Sequence, residues 1–282
     1  MNSVQELELK SIEYRRSILT MIVEANAGHT GGSLSCIDIL NVLYNHAMNV
    51  SPERFADPDR DRYVQSKGHS VEALYAVLAD CGFYPAAGLG TLGKAGSHFV
   101  GHPTRKVYGI EHNSGGLGHG LSVAVGMAIA GKLDGRGYRV FTLLGDGELA
   151  EGSSWEAAMT AAHYDLDNLV VIVDRNGLQI TGSTEDVNGL EPLVDKFVAF
   201  GFAVRSVDGN NIAALVDILD QAPFEAGKPS LILSHTVKGK GVSFIENAVN
   251  WHHHVPTEQE YEIAMAELDA AATRLMEEPL WN

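Results

Sequence analysis

Two short apolar runs, each followed by a polar cluster, dominate the hydrophobic pattern of the chain. The first covers residues 140–144 and precedes Gly-Asp-Gly-Glu at 145–148, and the second covers 169–173 and precedes Asp-Arg-Asn at 174–176. Both runs have the length and apolar character of buried β-strands. The residues between them are enough for one helix, predicted at 151–163. The pattern therefore predicts a βαβ unit with two parallel strands.

The rest of the chain continues this alternation of strands and helices. We expect an α/β fold of three layers, in which a mostly parallel central sheet is flanked by helices. Glycines at 28–32 predict a turn, and those at 115–120 predict a loop leading into a small-residue helix that ends at 133. The other predicted helices cover residues 4–26, about 36–48, 71–81, 212–221 and 258–276, and the other predicted strands cover residues 63–65, 203–207 and 231–236.

Composition adds limits to this picture. The chain has 282 residues and no shift in composition that marks a linker, so we expect a single domain over residues 1–282 with a peripheral C-terminal helix at about 258–276. The net charge of −16 argues against nucleic acid and anionic membranes as partners. Two isolated cysteines and the absence of a leader or long apolar run predict a soluble protein of a reducing cytoplasm.

The polar clusters after the two strands predict a metal site. Parallel neighbouring strands bring Asp146 and Asn176 side by side at the carboxyl edge of the sheet, where open α/β folds bind ligands. With the main-chain carbonyl of Leu178, they offer three oxygens to a hard cation such as Mg²⁺ and leave room for a diphosphate. Gly145 and Gly147 allow the backbone to approach a phosphate. The alternative is that each cluster is only a turn after a strand.

Four histidines lie in loops with small neighbours, namely His29, His69, His102 and His252. Neutral imidazoles donate and accept hydrogen bonds, so a group of them suits a sugar with many hydroxyls, whereas a single loop histidine is usually a solvated or capping residue. Two further clusters leave alternatives open. The histidines at 252–254 are also compatible with adventitious binding of transition metals at the surface. The Lys-Gly-Lys-Gly segment at 238–241 suits either phosphate oxygens or a solvated turn.

These motifs resemble those of a known family. Gly-Asp-Gly at 145–147 through Asn176 resembles the thiamine diphosphate motif, and Glu-Gly-x-x-Trp-Glu-Ala at 151–157 resembles transketolase in particular. The match runs from Tyr14 to about His252 and covers only the diphosphate-binding half of a transketolase. The chain is therefore similar to the N-terminal subunit of a split transketolase. The resemblance implies thiamine diphosphate and Mg²⁺, with Ca²⁺ or Mn²⁺ as substitutes, and transfer of a two-carbon ketol unit.

The resemblance also implies a role for each histidine. His29 matches a residue that contacts substrate, His69 matches one near the cofactor diphosphate, and His102 matches one that contacts the donor's hydroxyls. His252 matches the last active-site histidine, although His253 stands where the family has glycine. On this basis His29, His69, His102 and His252 are the candidate catalytic residues.

The implied cofactor contacts come from two loops. Gly115, Gly116 and Leu117 match a loop beside the thiazolium ring, with the leucine packed on the ring. His119 replaces the family's glutamine in this loop, and Gly116 replaces a proline. The remaining candidates for cofactor contacts are His69, Gly145, Asp146, Gly147, Glu148 and Asn176.

The family glutamate that hydrogen-bonds the aminopyrimidine ring belongs to a pyrimidine-binding domain, which this sequence does not contain. We therefore expect activity on sugar phosphates only with a C-terminal transketolase subunit, in an α2β2 hetero-oligomer, with Glu151 as a candidate interface residue. The sugar is an ordinary pentose phosphate or a branched or sulfonated one. Deoxyxylulose phosphate synthase, the α subunit of a 2-oxoacid dehydrogenase and a non-catalytic regulatory paralogue are the rival interpretations.

Overall fold

A five-stranded parallel sheet forms the centre of the protein. The computed structural model describes residues 2–277, and Met1 and residues 278–282 of the predicted domain lie outside that range. The sheet has the strand order β1-β2-β3-β7-β6, and a separate antiparallel ribbon pairs β4 with β5. The strands are β1 Arg62–Gln65, β2 Val140–Gly145, β3 Leu169–Arg175, β4 Leu178–Gln179, β5 Gly182–Ser183, β6 Ala203–Asp208 and β7 Ser230–His235.

Helices cover both faces of the sheet. The α-helices are α1 Val4–Ala25, α2 Thr30–Val42, α3 Val71–Asp80, α4 Gly120–Leu133, α5 Gly152–His163, α6 Thr184–Asn188, α7 Leu193–Phe200, α8 Ile212–Asp220 and α9 Glu258–Glu277. A π-helical turn covers Leu43–Ala47, and short 3₁₀ turns cover Gly68–Ser70, Ala86–Thr91, Gly147–Ala150 and Val249–His252. No helix among residues 2–277 combines the length and the apolar character needed to cross a membrane.

The alternating side chains of β2 explain the three layers. All six residues of this strand are buried. Phe141 and Leu143 join the apolar cluster under α1, α2, α3 and α8, whereas Val140 and Leu144 join the cluster under α4, α5 and α7. A strand covered on both faces needs a continuous apolar run, which is the pattern in the sequence. The predicted α/β fold with a parallel sheet flanked by helices is confirmed.

The C-terminal helix α9 packs along α1 at the edge of the fold. Tyr261 and Thr20 share a hydrogen bond of 2.9 Å between their hydroxyls, and Arg16 pairs with Asp269 at 2.5 Å. Ala264, Leu268 and other small or apolar residues of α9 are buried against the core. The helix thus lies where the sequence predicts one, at 258–276.

The prediction for residues 28–48 is wrong in detail. The glycines were expected to form a turn before a helix from about Cys36, but α2 begins at Thr30 and includes Gly31 and Gly32. A Cβ atom on Gly31 would lie 3.0 Å from the carbonyl oxygen of Trp251, so a distant segment packs directly on this first turn. The glycine therefore serves close packing inside a helix, which local propensity does not reveal.

The register of β2 and β3 places the two polar clusters together. Gly145 stands opposite Asp174, so Asp146 and Asn176 both follow the carboxyl ends of adjacent parallel strands. Gly177, which directly follows Asn176, has a φ of 77°, the left-handed conformation that favours glycine. The βαβ geometry inferred from the hydrophobic pattern is therefore correct, and it opens toward a cavity.

Candidate active site

A cavity of about 410 Å³ lies at the carboxyl edge of the sheet. Its volume is in the range of small-molecule and cofactor sites. All four predicted histidines and all three predicted metal ligands line it. The lining residues are His29, Gly32, Lys67, His69, His102, Gly115, Leu117, Gly145, Asp146, Gly147, Glu148, Asn176, Leu178, Gln179, Ile180, Thr181, Lys238, His252 and His253.

Of the predicted site residues, Gly116 alone does not line this cavity. A Cβ atom built on Gly116 would lie 3.4 Å from Nδ1 of His119, the residue that closes the same loop, whereas one on Gly115 would lie 3.9 Å from the His102 ring. The loop therefore presents Gly115 and Leu117 to the cavity and turns Gly116 away from it.

The oxygen wall of the cavity consists of Asp146, Asn176 and Leu178. The Asp146 carboxylate accepts hydrogen bonds from the main-chain N–H of Gly177 at 2.6 Å and of Gly147 at 2.8 Å. Burial and the negative charge of Asp174 raise the pKa of Asp146. A bound cation would oppose both effects because it stabilises the ionised carboxylate.

The other two oxygens of this wall are held in place by the chain itself. The side-chain oxygen of Asn176 accepts from the N–H of Leu178 at 3.1 Å, and the carbonyl of Leu178 accepts from the ammonium of Lys238 at 3.1 Å. One carboxylate, one amide oxygen and one carbonyl form a donor set that suits Mg²⁺, and the carbonyl of Leu178 already faces a cation. The residues present therefore fit a hard divalent ion beside a diphosphate.

A buried ion pair supports the oxygen wall from below. Lys67 contacts the Asp174 carboxylate and donates to the carbonyl of Gly32 at 3.0 Å. The same carboxylate accepts from the hydroxyls of Ser35, at 2.7 Å, and Thr236. Burial alone would lower the pKa of Lys67, but the charge of Asp174 outweighs it and raises that pKa. Asp174 therefore stays ionised, and its amide neighbour Asn176 donates to it at 3.3 Å.

Glu148 lines the cavity, but its carboxylate accepts hydrogen bonds from the protein itself. It accepts from the N–H groups of Gly118, at 2.8 Å, and Gly145, at 3.0 Å, and from the hydroxyl of Ser66. These bonds join three loops at the carboxyl edge. The geometry gives Glu148 the position of a residue that holds these segments together.

The histidine wall consists of His29, His69, His102, His252 and His253. The ring centroid of His29 lies 5.1 Å from that of His69, 6.3 Å from His102, 5.5 Å from His252 and 4.1 Å from His253. Burial, with neighbouring histidines and lysines, lowers the pKa of His29 to about 3, of His69 to about 2 and of His252 to about 3. These imidazoles are neutral at neutral pH.

Lys238 resolves the alternatives left open for the Lys-Gly-Lys-Gly segment. Its ammonium faces the cavity, where it lies 3.0 Å from Nδ1 of His252, and burial lowers its pKa to about 8. Lys240 instead pairs with Glu246 on the surface at 3.3 Å. The first lysine of the segment is thus placed to meet an anion, and the second is solvated.

A buried acid beneath the histidine wall was not predicted from the sequence. Glu72 in α3 accepts from the hydroxyl of Ser33 at 2.8 Å and from the N–H of His29, and burial raises its pKa to about 7. A Cβ atom on Gly28 would lie 2.8 Å from its carboxylate, so Gly28 lets the chain pass over this acid. The sequence signal was a single glutamate inside an apolar helix.

Comparison with known proteins identifies the family. Residues 8–270 match the model of the transketolase thiamine diphosphate binding domain. The chain is 47% identical over 275 residues to one of the subunits of the apulose-4-phosphate transketolase of Phocaeicola vulgatus, with 98% of each chain covered. It is 43% identical over 265 residues to 6-deoxy-6-sulfo-D-fructose transketolase subunit SqwG of a Clostridium species, covering 94% of this chain and 96% of that one.

Solved structures agree. The transketolase of Leishmania mexicana superposes with a TM-score of 0.85 at 27% identity, covering 98% of this chain and 45% of that one. The Campylobacter jejuni transketolase gives 0.83 at 29% identity, covering 98% and 48%. The chain thus spans about half the length of these two enzymes. The match favours transketolase over deoxyxylulose phosphate synthase and 2-oxoacid dehydrogenase. The chain belongs to the transketolase family, as its thiamine diphosphate-binding N-terminal subunit.

Proposed function

We propose that this chain works with a separate pyrimidine-binding subunit to transfer a two-carbon ketol unit from a ketose phosphate to an aldose. The observation that carries the proposal is one cavity with two different walls, one of oxygens and one of histidines. Two of the similar proteins are named as single subunits of a transketolase, which supports a partner chain. We further propose an α2β2 assembly, since the family resemblance implies active sites formed between halves, and a cytoplasmic location.

The oxygen wall is proposed to hold the cofactor's diphosphate through Mg²⁺. Asp146, Asn176 and the carbonyl of Leu178 would be the protein ligands, because they combine the oxygen types that Mg²⁺ binds. Lys238 is well placed to contact a phosphate oxygen. When bound, thiamine diphosphate would supply a nucleophile for the ketose carbonyl and an electron sink for cleavage of the adjacent C–C bond. Gly115 and Leu117 are proposed to contact the cofactor ring.

The histidine wall is proposed to bind the sugar. Each neutral imidazole has one donor and one acceptor nitrogen, so His29, His69 and His102 can match hydroxyls without bringing charge into the cavity. His252 lies against Lys238, so it connects the sugar end of the cavity to the phosphate end. Proton movements at the hydroxyls of the sugar are assigned to this group of residues.

We propose a branched sugar phosphate of the apulose 4-phosphate type as the substrate, because the two relatives at 47% and 46% identity carry that sugar in their names. A sulfonated ketose is the second candidate, supported by the relative at 43%. The two sugars differ in the group at the far end, phosphate or sulfonate. A matched panel of both, with xylulose 5-phosphate as an ordinary ketose, separates these candidates.

The test is to purify the chain together with the product of a neighbouring gene that encodes a pyrimidine-binding domain. Ketol transfer is then measured with thiamine diphosphate, Mg²⁺ and the sugar panel, for the complex and for each chain alone. The proposal expects activity only from the complex. Equal activity from the chain alone would refute the two-subunit proposal, and binding of cofactor without turnover of any sugar would favour a regulatory paralogue.

A further inference from the structure

Three histidines of the histidine wall converge on one point. His29, His252 and His253 each offer a ligand nitrogen, and these three atoms all lie within 4.8 Å of one another. His29 comes from the residue before α2, more than two hundred positions from the other two. The fold brings these distant side chains together, and the run of histidines at 252–254 alone does not predict this.

The trio differs from the surface run at 252–254 that the sequence suggested. His254 does not line the cavity. Its ring centroid lies 4.4 Å from that of Trp251, and its Nε2 lies 3.4 Å from the Glu260 carboxylate. His29 takes its place beside the other two histidines. The structure therefore offers a matched control, because an adjacent histidine of the same run lies outside the cluster.

We propose that His29, His252 and His253 form a binding site for a divalent transition-metal ion such as Zn²⁺, and that this ion excludes the sugar. Zinc–nitrogen bonds of about 2.0–2.1 Å place the nitrogens of a tetrahedral site about 3.4 Å apart, so the side chains need to close by about an ångström. His253 is exposed, and its ring already lies 4.1 Å from that of His29 and 4.7 Å from that of His252. Three histidines leave the fourth position open to water, as in many accessible zinc sites.

The proposed site is chemically distinct from the oxygen wall. Three imidazoles form a nitrogen donor set, which prefers Zn²⁺, Ni²⁺ or Cu²⁺, whereas Asp146, Asn176 and the carbonyl of Leu178 prefer Mg²⁺ or Ca²⁺. A cavity with both sets sorts two kinds of ion to its two walls. An excess of Mg²⁺ would then leave the histidine site available for zinc.

Lys238 limits the affinity of the proposed histidine site for a divalent ion. Its ammonium lies 3.0 Å from Nδ1 of His252, so its positive charge opposes a divalent ion held by that ring. Replacing it with methionine keeps the length of the side chain and removes the charge. Lys238→Met is therefore expected to bind zinc more tightly than the wild type, which is the opposite of its expected effect on phosphate binding.

The binding test uses the full chain alone, without thiamine diphosphate, in excess Mg²⁺, and measures Zn²⁺ by competition with a chromophoric chelator. One site per chain is expected. His253→Gly should weaken it at least tenfold, roughly as for losses at other metal sites, while His254→Asn should leave it within about twofold. Equal affinity in His253→Gly and the wild type, or an equal loss in both variants, would overturn the site. Circular dichroism confirms that each variant is folded.

The blocking effect rests on the proposed function and is tested separately in the reconstituted complex. Zinc is expected to inhibit ketol transfer in competition with the sugar. A chelator should reverse this inhibition. Inhibition that persists unchanged in His253→Gly would overturn the blocking role. If the complex turns over no sugar, the proposed function fails, but the zinc titration of the chain still decides whether the site exists.

Discussion

Burial disfavours charge in both walls of the cavity, but only the oxygen wall holds a carboxylate that a bound cation would keep ionised. In the oxygen wall, Asp146 is buried next to a second carboxylate, Asp174, and these two effects raise its pKa. In the histidine wall, burial and neighbouring cations lower the pKa of His29, His69 and His252, so charge is removed. One wall is thus prepared for a cation, and the other for a neutral polar ligand.

This difference also explains how the chain, with its net charge of −16, can bind an anionic cofactor. The cavity concentrates Lys67 and Lys238 beside the oxygen wall, and Lys67 is held by the ion pair beneath it. A metal ion would add two further positive charges at that point. Local charge, rather than the overall field of the protein, accounts for the proposed diphosphate site.

The largest effect is expected from Asp146→Ala. This change removes the one charged ligand of the proposed metal, so thiamine diphosphate-dependent ketol transfer by the complex should fall by about two orders of magnitude or more. The fold should remain, because Asp146 follows the end of β2 and lines the cavity rather than the apolar core. Steady-state kinetics and circular dichroism measure the two effects. Asp195→Ala, at an exposed position on α7, is the control and should be neutral.

Lys67→Met tests the ion pair beneath the oxygen wall. It leaves the Asp174 carboxylate buried without its partner, and we expect a loss of about 3–5 kcal/mol in the free energy of unfolding, measured with urea. Adding Asp174→Asn should restore part of that loss, because no unpaired charge then remains. Lys132→Met removes a half-exposed pair with Asp167 and should cost less than about 1 kcal/mol. Equal costs for the two lysines would contradict the account.

Glu72→Gln tests the acid beneath the histidine wall. The folded pKa of Glu72, about 7, lies above its ordinary value of 4.5, so its contribution to stability is present below pH 4.5 and is lost as the pH rises through 7. The variant should therefore match the wild type near pH 4 and be more stable near pH 8 by roughly 3 kcal/mol. Urea denaturation at both values gives the difference. Glu258→Gln, an exposed change at the start of α9, should alter neither.

The pH dependence of the histidine wall has the opposite sign. His29, His69 and His252 have folded pKa values below their ordinary value of 6.5, so the stability they contribute is present above pH 6.5 and is lost as the pH falls toward 3. We expect the free energy of unfolding to fall on acidification below pH 6.5, and His69→Asn to reduce that fall. An acid transition with the same slope in the variant would count against neutral imidazoles.

The sequence was sufficient for the oxygen wall because its residues are fixed by strands. An apolar run followed by a polar residue predicts a strand end, and parallel pairing then places Asp146 beside Asn176. The histidine wall comes from loops, whose meeting point depends on long-range packing. The four histidines were singled out by their loop settings and received individual roles from the family resemblance, and only the structure brings His253 beside His29.

Several details could not be predicted for the same reason. Trp251 packs on the first turn of α2, and Glu72 of α3 is buried close to Gly28, and both contacts join segments far apart in the sequence. The helices α6 and α7 and the ribbon of β4 and β5 were not predicted. These elements are short, and α7 buries only Leu193 and Phe197. The apolar periodicity of the segment is therefore too weak to predict a helix.

We propose that the two walls act on different ligands, and one pair of variants in the reconstituted complex tests this most directly. Asn176→Ala should raise the apparent Kd of thiamine diphosphate about tenfold and leave the sugar KM at saturating cofactor within about twofold. His102→Ala should raise the sugar KM about tenfold and leave the apparent Kd of thiamine diphosphate within about twofold. If each variant changes cofactor affinity and sugar KM by the same factor, the cavity acts as one undivided site and the claim is wrong.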